Sequence, residues 1–301
     1  MQDFKVIGYM PAWKTSKMDK IRYDVLTHVI YSFAFPDEES LEIMIPNLEK
    51  ANKIVRDSHK NGVKVLLSIG GWNDFGNSNK DIMMSVISED KKLERFVENI
   101  ALAVEDLEFD GADINWGNLA EDVNNEERIK MFTQKLSEKL KSIDKTLTLS
   151  VFGNIVGNDD VVSFEVASSS SDTVKNVDWV NVICYELREG VRPSNTNLKI
   201  TTEFSEAVKL PKEKTVMGVP FFINMSIMAY QDELRKNRAE ETITRDILTC
   251  GREMYCISDE EFMSKVEWAK QNTIGMNVWE VTQDFNDIES SLFSKVKSVL
   301  N

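Results

Sequence analysis

Eight short apolar runs, rich in β-branched residues and spread over the whole chain, constrain this sequence more than any other feature. They are KVIGYM (5–10), VLTHVIYSFAF (25–35), KVLLSIGG (64–71), FDGADINW (109–116), TLTLSVFG (146–153), WVNVICYEL (179–187), TVMGVPFF (215–222) and GMNVWE (275–280). Continuous apolar runs, rather than clean alternation, belong to parallel strands covered on both faces. Helix-period segments lie between most of them. In NNEERIKMFTQKLSEKLKSI, Ile129, Phe132, Leu136 and Leu140 share one face, with charges around the rest. PNLEKANKIVRDSHKNG opens with Pro46 and closes with Gly62, the usual asymmetry of helix ends. SDEEFMSKVEWAKQNT carries Ser258 and Glu261 at capping-box spacing. Eight strands alternating with helices predict an α/β fold, a (β/α)8 barrel forming one domain over residues 1–301. The rival, an open doubly wound sheet, carries a phosphate-binding glycine fingerprint after its first strand. Here that turn reads YMPAWKTS. ASSSSD (167–172) reads as a polar loop. The stretch from Asn224 to Ile257 reads as the longest connection without a strand, expected to carry short helices over one side of a pocket.

Charge narrows the partners. The net charge is −14 with a pI near 4.8, and no basic stripe is visible. Nucleic acid and anionic membrane both demand clustered Lys and Arg, so neither is expected, and a neutral ligand fits. The acidic surface reads as a solubility feature. No run reaches the roughly 18 apolar residues of a transmembrane helix. The opening MQDFKVIGYM enters a strand pattern at once and reads as lacking a signal peptide. Localisation stays open between a cytoplasmic chain and a secreted or cell-surface chain whose leader has been removed. His28 and His59 stand far apart in sequence and give neither a zinc-type cluster nor a Ser/His triad, so no metal or cofactor is expected. Cys250 and Cys256 lie close enough in sequence to pair, although unpaired thiols are the simpler reading, and Cys184 sits inside an apolar run.

In such a barrel, function gathers where strands end at the C-terminal face. Those ends hold Tyr9, Trp13, Phe35, Ser68, Gly70, Gly71 and Trp72, then Asp113, Asn115 and Trp116. Later strands add Phe152, Tyr185, Glu186, Phe221, Phe222, Trp279 and Glu280. The set is aromatic and nearly free of basic residues. It suits a sugar, whose C–H faces stack while its hydroxyls take hydrogen bonds, and it does not suit a phosphorylated ligand. Within EFDGADINWGNL (108–119), strand alternation puts Asp113, Asn115 and Gly117 on one face. Two polar groups aimed at a core need partners or a purpose, and the third position has no side chain. A satisfied polar pair inside the barrel is the plain alternative to a degenerate site.

These pieces together resemble the family-18 glycoside hydrolases, the chitinases and endo-β-N-acetylglucosaminidases. GYMPAW resembles that family's first strand, SIGGW (68–72) its S-x-G-G signature, and DGADINWG (110–117) its D-G-x-D-x-D-x-E motif. VNVICYE (180–186) resembles the M-x-Y-D segment, MGVPFF the G-x-P-F-Y segment, and GMNVWE the last strand with its tryptophan. Six pieces occur in the family's order over almost the full length.

The resemblance implies roles position by position. The family's acid position falls on Gly117, and the aspartate before it falls on Asn115. Asp110 and Asp113 keep the earlier acidic positions, and Tyr185 keeps the tyrosine that contacts the acetamido oxygen. Glu186 replaces an aspartate, Phe222 replaces a tyrosine, and Trp279 matches the tryptophan that floors the central subsite. Tyr9, Phe35, Trp72 and Trp116 complete the expected sugar contacts. Family-18 hydrolysis is substrate-assisted and stands outside the two-carboxylate scheme. The acetamido oxygen attacks the anomeric carbon while the glutamic acid protonates the leaving oxygen. General acid catalysis contributes about 10² to 10⁴ in rate, and asparagine cannot supply negative charge to an oxazolinium cation. Both losses weigh on the transition state more than on ground-state binding. The expectation is therefore a chitinase-like protein that binds N-acetylglucosamine-containing glycans such as chitin without cutting them. The alternatives are an active glycosidase with a relocated acid (Glu121, Asp122 or Glu186) and a barrel that serves as a scaffold for protein contacts.

Overall fold

The computed structural model describes residues 4–71, 79–115, 126–156, 161–164, 171–183, 196–207, 209–223, 228–229, 248–250, 252–254, 259–284 and 291–300. Eight parallel strands close into a barrel. They are β1 (Lys5–Pro11), β2 (His28–Pro36), β3 (Lys64–Gly70), β4 (Gly111–Asn115), β5 (Thr146–Val156), β6 (Trp179–Ile183), β7 (Thr215–Pro220) and β8 (Gly275–Trp279). Each pairs with its successor in sequence, and β8 returns to β1 through Lys5↔Gly275 and Gly8↔Val278. Around them lie α1 (Leu48–Lys60), α2 (Lys80–Ile87), α3 (Asp90–Asp106) and α4 (Glu126–Ser142). The ring continues with α5 (Ser171–Lys175), α6 (Thr196–Ala207), α7 (Asp259–Asn272) and α8 (Leu292–Leu300). The fold is a (β/α)8 barrel.

Strand alternation separates two cores. Val6 and Met10 of β1 face outward to the helices, while Ile7 and Tyr9 face inward. On α4 the four residues predicted to share a face are all fully buried, and Phe132 stacks on Phe96 of α3 with 5.4 Å between ring centroids. Asp284 starts α8 by accepting from the backbone N–H groups of Leu292 (2.7 Å) and Phe293 (3.1 Å). Inside the barrel, Ile7, Ile30, Leu66, Trp179, Val216 and Ile274 form an apolar layer toward the N-terminal end. His28 meets the Trp179 ring edge-on at 5.2 Å, and Lys5 Nζ lies 5.0 Å from its centroid. Burial, aided by Lys5 and Lys64, pushes the His28 imidazole down to about 3, so it is neutral at ordinary pH. This layer closes the floor, and a ligand must enter from the other end.

Two expectations need correction. Within 224–257, expected to hold no strand, the described residues form short antiparallel pairs: Phe222–Ile223 with Met228–Ala229, and Leu248–Cys250 with Arg252–Met254; the expectation of short helices falls on residues outside the described ones. Ser171 and Asp172, expected in a polar loop, belong to α5. The run TVMGVPFF leaves the barrel at Pro220, after which Phe221 packs outward on Phe293 (4.9 Å) and Phe262 (6.0 Å). Cys250 lies in a strand, while Cys184 and Cys256 fall outside the described residues.

Candidate functional site

The barrel register builds a carboxylate cage above the apolar floor. Asp113 of β4 stands beside Ser68 of β3 and Thr148 of β5 in the pairing, and Ser150 stands beside Asn181 of β6. All five side chains point inward and are fully buried. Ser68 Oγ donates to Asp113 Oδ2 at 2.8 Å, and Thr148 Oγ1 donates to Oδ1 at 2.7 Å. Ser150 Oγ lies 2.9 and 3.0 Å from the two oxygens, and Asn181 Nδ2 donates to Oδ1 at 3.1 Å. Tyr9 OH is 2.8 Å from Ser150 Oγ, and Trp179 Nε1 donates to Asn181 Oδ1 at 3.2 Å. The network therefore runs from the floor indole to an aromatic ring under the mouth. None of the four groups bonded to the carboxylate is charged. Burial pushes the Asp113 carboxyl up from the ordinary carboxylate range, against hydrogen bonds from Thr148, Ser68, Ser150 and Asn181 that hold it down.

Above the cage the strand ends turn over one another. Gly70 and Gly71 have φ of +105° and +58°, a region that side chains with a Cβ rarely adopt. A Cβ on Gly70 would collide with the Asn115 carbonyl, which also accepts the Gly71 N–H at 2.6 Å. Asn79 Nδ2 donates to Gly70 O at 2.9 Å and holds this turn. Asn115 is thereby fixed at the end of β4, buried and two residues above Asp113.

Aromatic rings complete the mouth. Trp279, half-buried, stacks on Phe33 at 5.7 Å and 16°, and meets Tyr9 at 5.5 Å. Trp13, 37% exposed, lies 6.3 Å from Trp279 and 6.2 Å from Phe33. The peptides Ser32–Phe33 and Trp279–Glu280 are cis. Glu280 is buried beside this rim, accepting from Lys14 Nζ at 2.9 Å and from the Thr282 N–H and hydroxyl at 2.9 and 2.8 Å. Apolar ring faces over a polar well suit a pyranose, which presents C–H faces and hydroxyls together.

Of the predicted site residues, the structure brings together Tyr9, Ser68, Asp113 and Trp279, with Asn115 at the end of β4. Phe35 lies farther along β2, half-buried and paired with Met44. Asp110 is not brought to this site. It lies before β4 at the N-terminal end of the barrel, accepting from Val65 N–H at 2.7 Å and 2.9 Å from His59 Nε2. Phe222 contributes backbone to a hairpin with Ala229. Trp72, Trp116, Gly117, Glu121, Asp122, Tyr185 and Glu186, together with the side chain of Phe152, lie outside the described residues. Sequence reasoning missed Thr148, Ser150 and Asn181. The signal was present: in TLTLS the polar residues alternate with Leu147 and Leu149, the same period-two mark that singled out Asp113 and Asn115. Phe33 and the Lys14–Glu280 pair carried no comparable signal. Among the described residues no group of three His, Cys, Asp or Glu side chains could hold a metal ion, and no helix is long and apolar enough to cross a membrane.

Residues 5–284 match the model of glycosyl hydrolases family 18. The chain belongs to that family. Among curated relatives it is 24% identical over 262 residues to probable chitinase 2 of Drosophila melanogaster, covering 74% of this chain and 51% of the relative. It is 25% identical over 241 residues to the class V chitinase CHIT5 of Lotus japonicus, covering 71% and 58%. The chain thus spans little more than half the length of these family 18 relatives. Among solved structures, a plant class V chitinase mutant from Cycas revoluta in complex with (GlcNAc)3 matches with a TM-score of 0.82 at 19% identity. That match covers 99% of this chain and 100% of the other, and at such identity the likeness is one of fold.

Proposed function

We propose that this family 18 chain is a chitinase-like binding protein that holds N-acetylglucosamine-containing glycans at the open end of its barrel without hydrolysing them. The carrying observation lies on β4. Asp113 keeps a full set of hydrogen bonds, while the family motif runs on through Asn115 to Gly117, where the proton donor belongs. A leaving alkoxide then has no acid to neutralise it, at a cost of about 10² to 10⁴ in rate. The neighbouring rings of exposed Trp13 and half-buried Trp279, backed by buried Phe33, support retained binding, since stacking acts in the ground state and needs no acid. The sugar class rests on the family and on relatives named as chitinases.

The test is calorimetric titration of the chain with chitotetraose, followed by mass spectrometry after prolonged incubation. Saturable heat with no shortened product is expected. Steady release of shorter sugars with a bell-shaped pH profile would replace this reading with an active glycosidase that uses a relocated acid. No heat with chitooligosaccharides or N-glycans would leave a barrel scaffold for protein contacts.

A further inference from the structure

Lys14 and Glu280 each follow a rim tryptophan directly in sequence, and their side chains meet. Lys14 Nζ lies 2.9 Å from Glu280 Oε1, with Glu280 1% and Lys14 22% exposed. The carboxylate is fixed on its own segment, because Oε2 accepts from the Thr282 N–H and Oε1 from the Thr282 hydroxyl. That segment, Val281–Gln283, packs closely on β1 where Gly8 stands, a place where any Cβ would strike Val281. On its other side, Asn47 Nδ2 donates to the Ala12 carbonyl at 2.8 Å. The turn that carries Trp13, Ala12–Lys20, is therefore held from both flanks, and on the β8 side an ion pair holds it. A pair with one almost wholly buried member is screened far less than a surface pair, and burying it gains nothing that an apolar residue would not supply. Its distinctive effect is direction: an ammonium must approach the carboxylate along a set line.

We propose that the Lys14–Glu280 pair is a positioning element of the glycan platform. It seats the Ala12–Lys20 turn against the end of β8 and holds Trp13 at 6.3 Å and 48° from Trp279. The two indoles then present one continuous surface to a glycan longer than a disaccharide. This rests on the binding reading above, and the experiment separates the two.

Lys14→Met, Lys14→Arg and the double variant Lys14→Met/Glu280→Gln are compared with wild type, and Trp13→Phe identifies the indole exciton band in the ultraviolet circular dichroism. In the absence of sugar, Lys14→Met weakens that band and Lys14→Arg restores it. With sugar, Lys14→Met weakens chitotetraose binding about tenfold, equivalent to ~1.4 kcal/mol, and chitobiose binding by no more than about twofold. The double variant leaves no buried charge unpaired and keeps the thermal midpoint, yet still loses the band and the tetraose preference. An unchanged band and an unchanged tetraose-to-biose ratio in the folded double variant would overturn the proposal. If wild type bound no glycan, the binding reading would fail, and the sugar-free band would still decide whether the pair seats Trp13.

Discussion

Asp113→Ala tests whether the cage is one connected network. Truncation strands four donors inside the barrel: the Ser68, Thr148 and Ser150 hydroxyls and the Asn181 amide. A hydrogen bond to a charged group contributes ~1.5–3 kcal/mol, so four amount to a gross loss of about 6–12 kcal/mol. Two effects reduce this. The unfavourable burial of the carboxylate, visible in its raised pKa, is relieved, and the freed hydroxyls re-pair with one another or with water. The net cost comes to about 3–5 kcal/mol, the usual range for breaking a buried charged network. At roughly 2 °C per kcal/mol for a chain of this size, the calorimetric midpoint should fall by about 6–10 °C.

Asp113→Asn gives the complementary reading, because the hydroxyl rotors can reverse to meet an amide. A carboxyl raised in the folded state gives stability that is complete below its unfolded pKa and lost as pH rises through its folded value. Wild type minus Asp113→Asn should therefore shrink as pH rises upward from the ordinary carboxylate range. A midpoint for Asp113→Ala within 2 °C of wild type, or a pH-independent difference for Asp113→Asn, would refute the network.

Trp279→Ala removes the ring stacked on Phe33 and should weaken chitotetraose binding by ~2 kcal/mol or more, as for a central aromatic contact; titration at low and high salt should give the same affinity, and a steep salt dependence would contradict stacking. Gly117→Glu with Asn115→Asp tests the proposed loss of the acid by placing two carboxylates at the family-motif positions. Partial activity on an activated N-acetylglucosaminide is expected, above either single variant, and a well-folded double variant that binds sugar without any gain would show that the lost acid is not the main defect. Asp24 is held well below the usual carboxylate range, first by its hydrogen bond from Arg22 and then by Lys297, although it is half exposed. Its stabilisation is present above the unfolded pKa and lost as pH falls below it, so Asp24→Asn should lower the midpoint slightly at neutral pH and converge with wild type in acid.

Eight strands were legible because each is an apolar run that the barrel buries on both faces, and that burial is written into residues such as Val65 to Leu67 and Val180 to Val182. Strand ends were less so. Phe221 and Phe222 read as a continuation of β7, but that strand ends at Pro220 and Phe222 pairs in a separate short strand. Asp110 and Asp113 belong to one motif in sequence, yet they stand at opposite ends of a short strand, one serving backbone and His59, the other the barrel interior. Partners brought together by register, such as Asn181 and Asp113, are 68 positions apart, and only the closed barrel makes them neighbours. Lys14 and Glu280 are 266 apart and look like ordinary charges until β8 returns to β1.

The survival of Asp113 does not itself argue for sugar chemistry. Its four partners come from β3, β5 and β6, and none depends on what occupies positions 115 or 117. Replacing Asp113 would deprive all four buried donors of their acceptor, so the fold preserves the cage whatever the mouth does. Position 117 lies beyond the end of β4, outside the described residues. Stability alone thus explains a retained Asp113. It does not explain Trp13, 37% exposed at the mouth, or the ion pair that seats its turn. A large indole left in water, in contact with a second half-buried indole, gives the folded chain little that a smaller polar residue would not. The binding reading therefore rests on the rim, and the rim variants are where it is most directly tested.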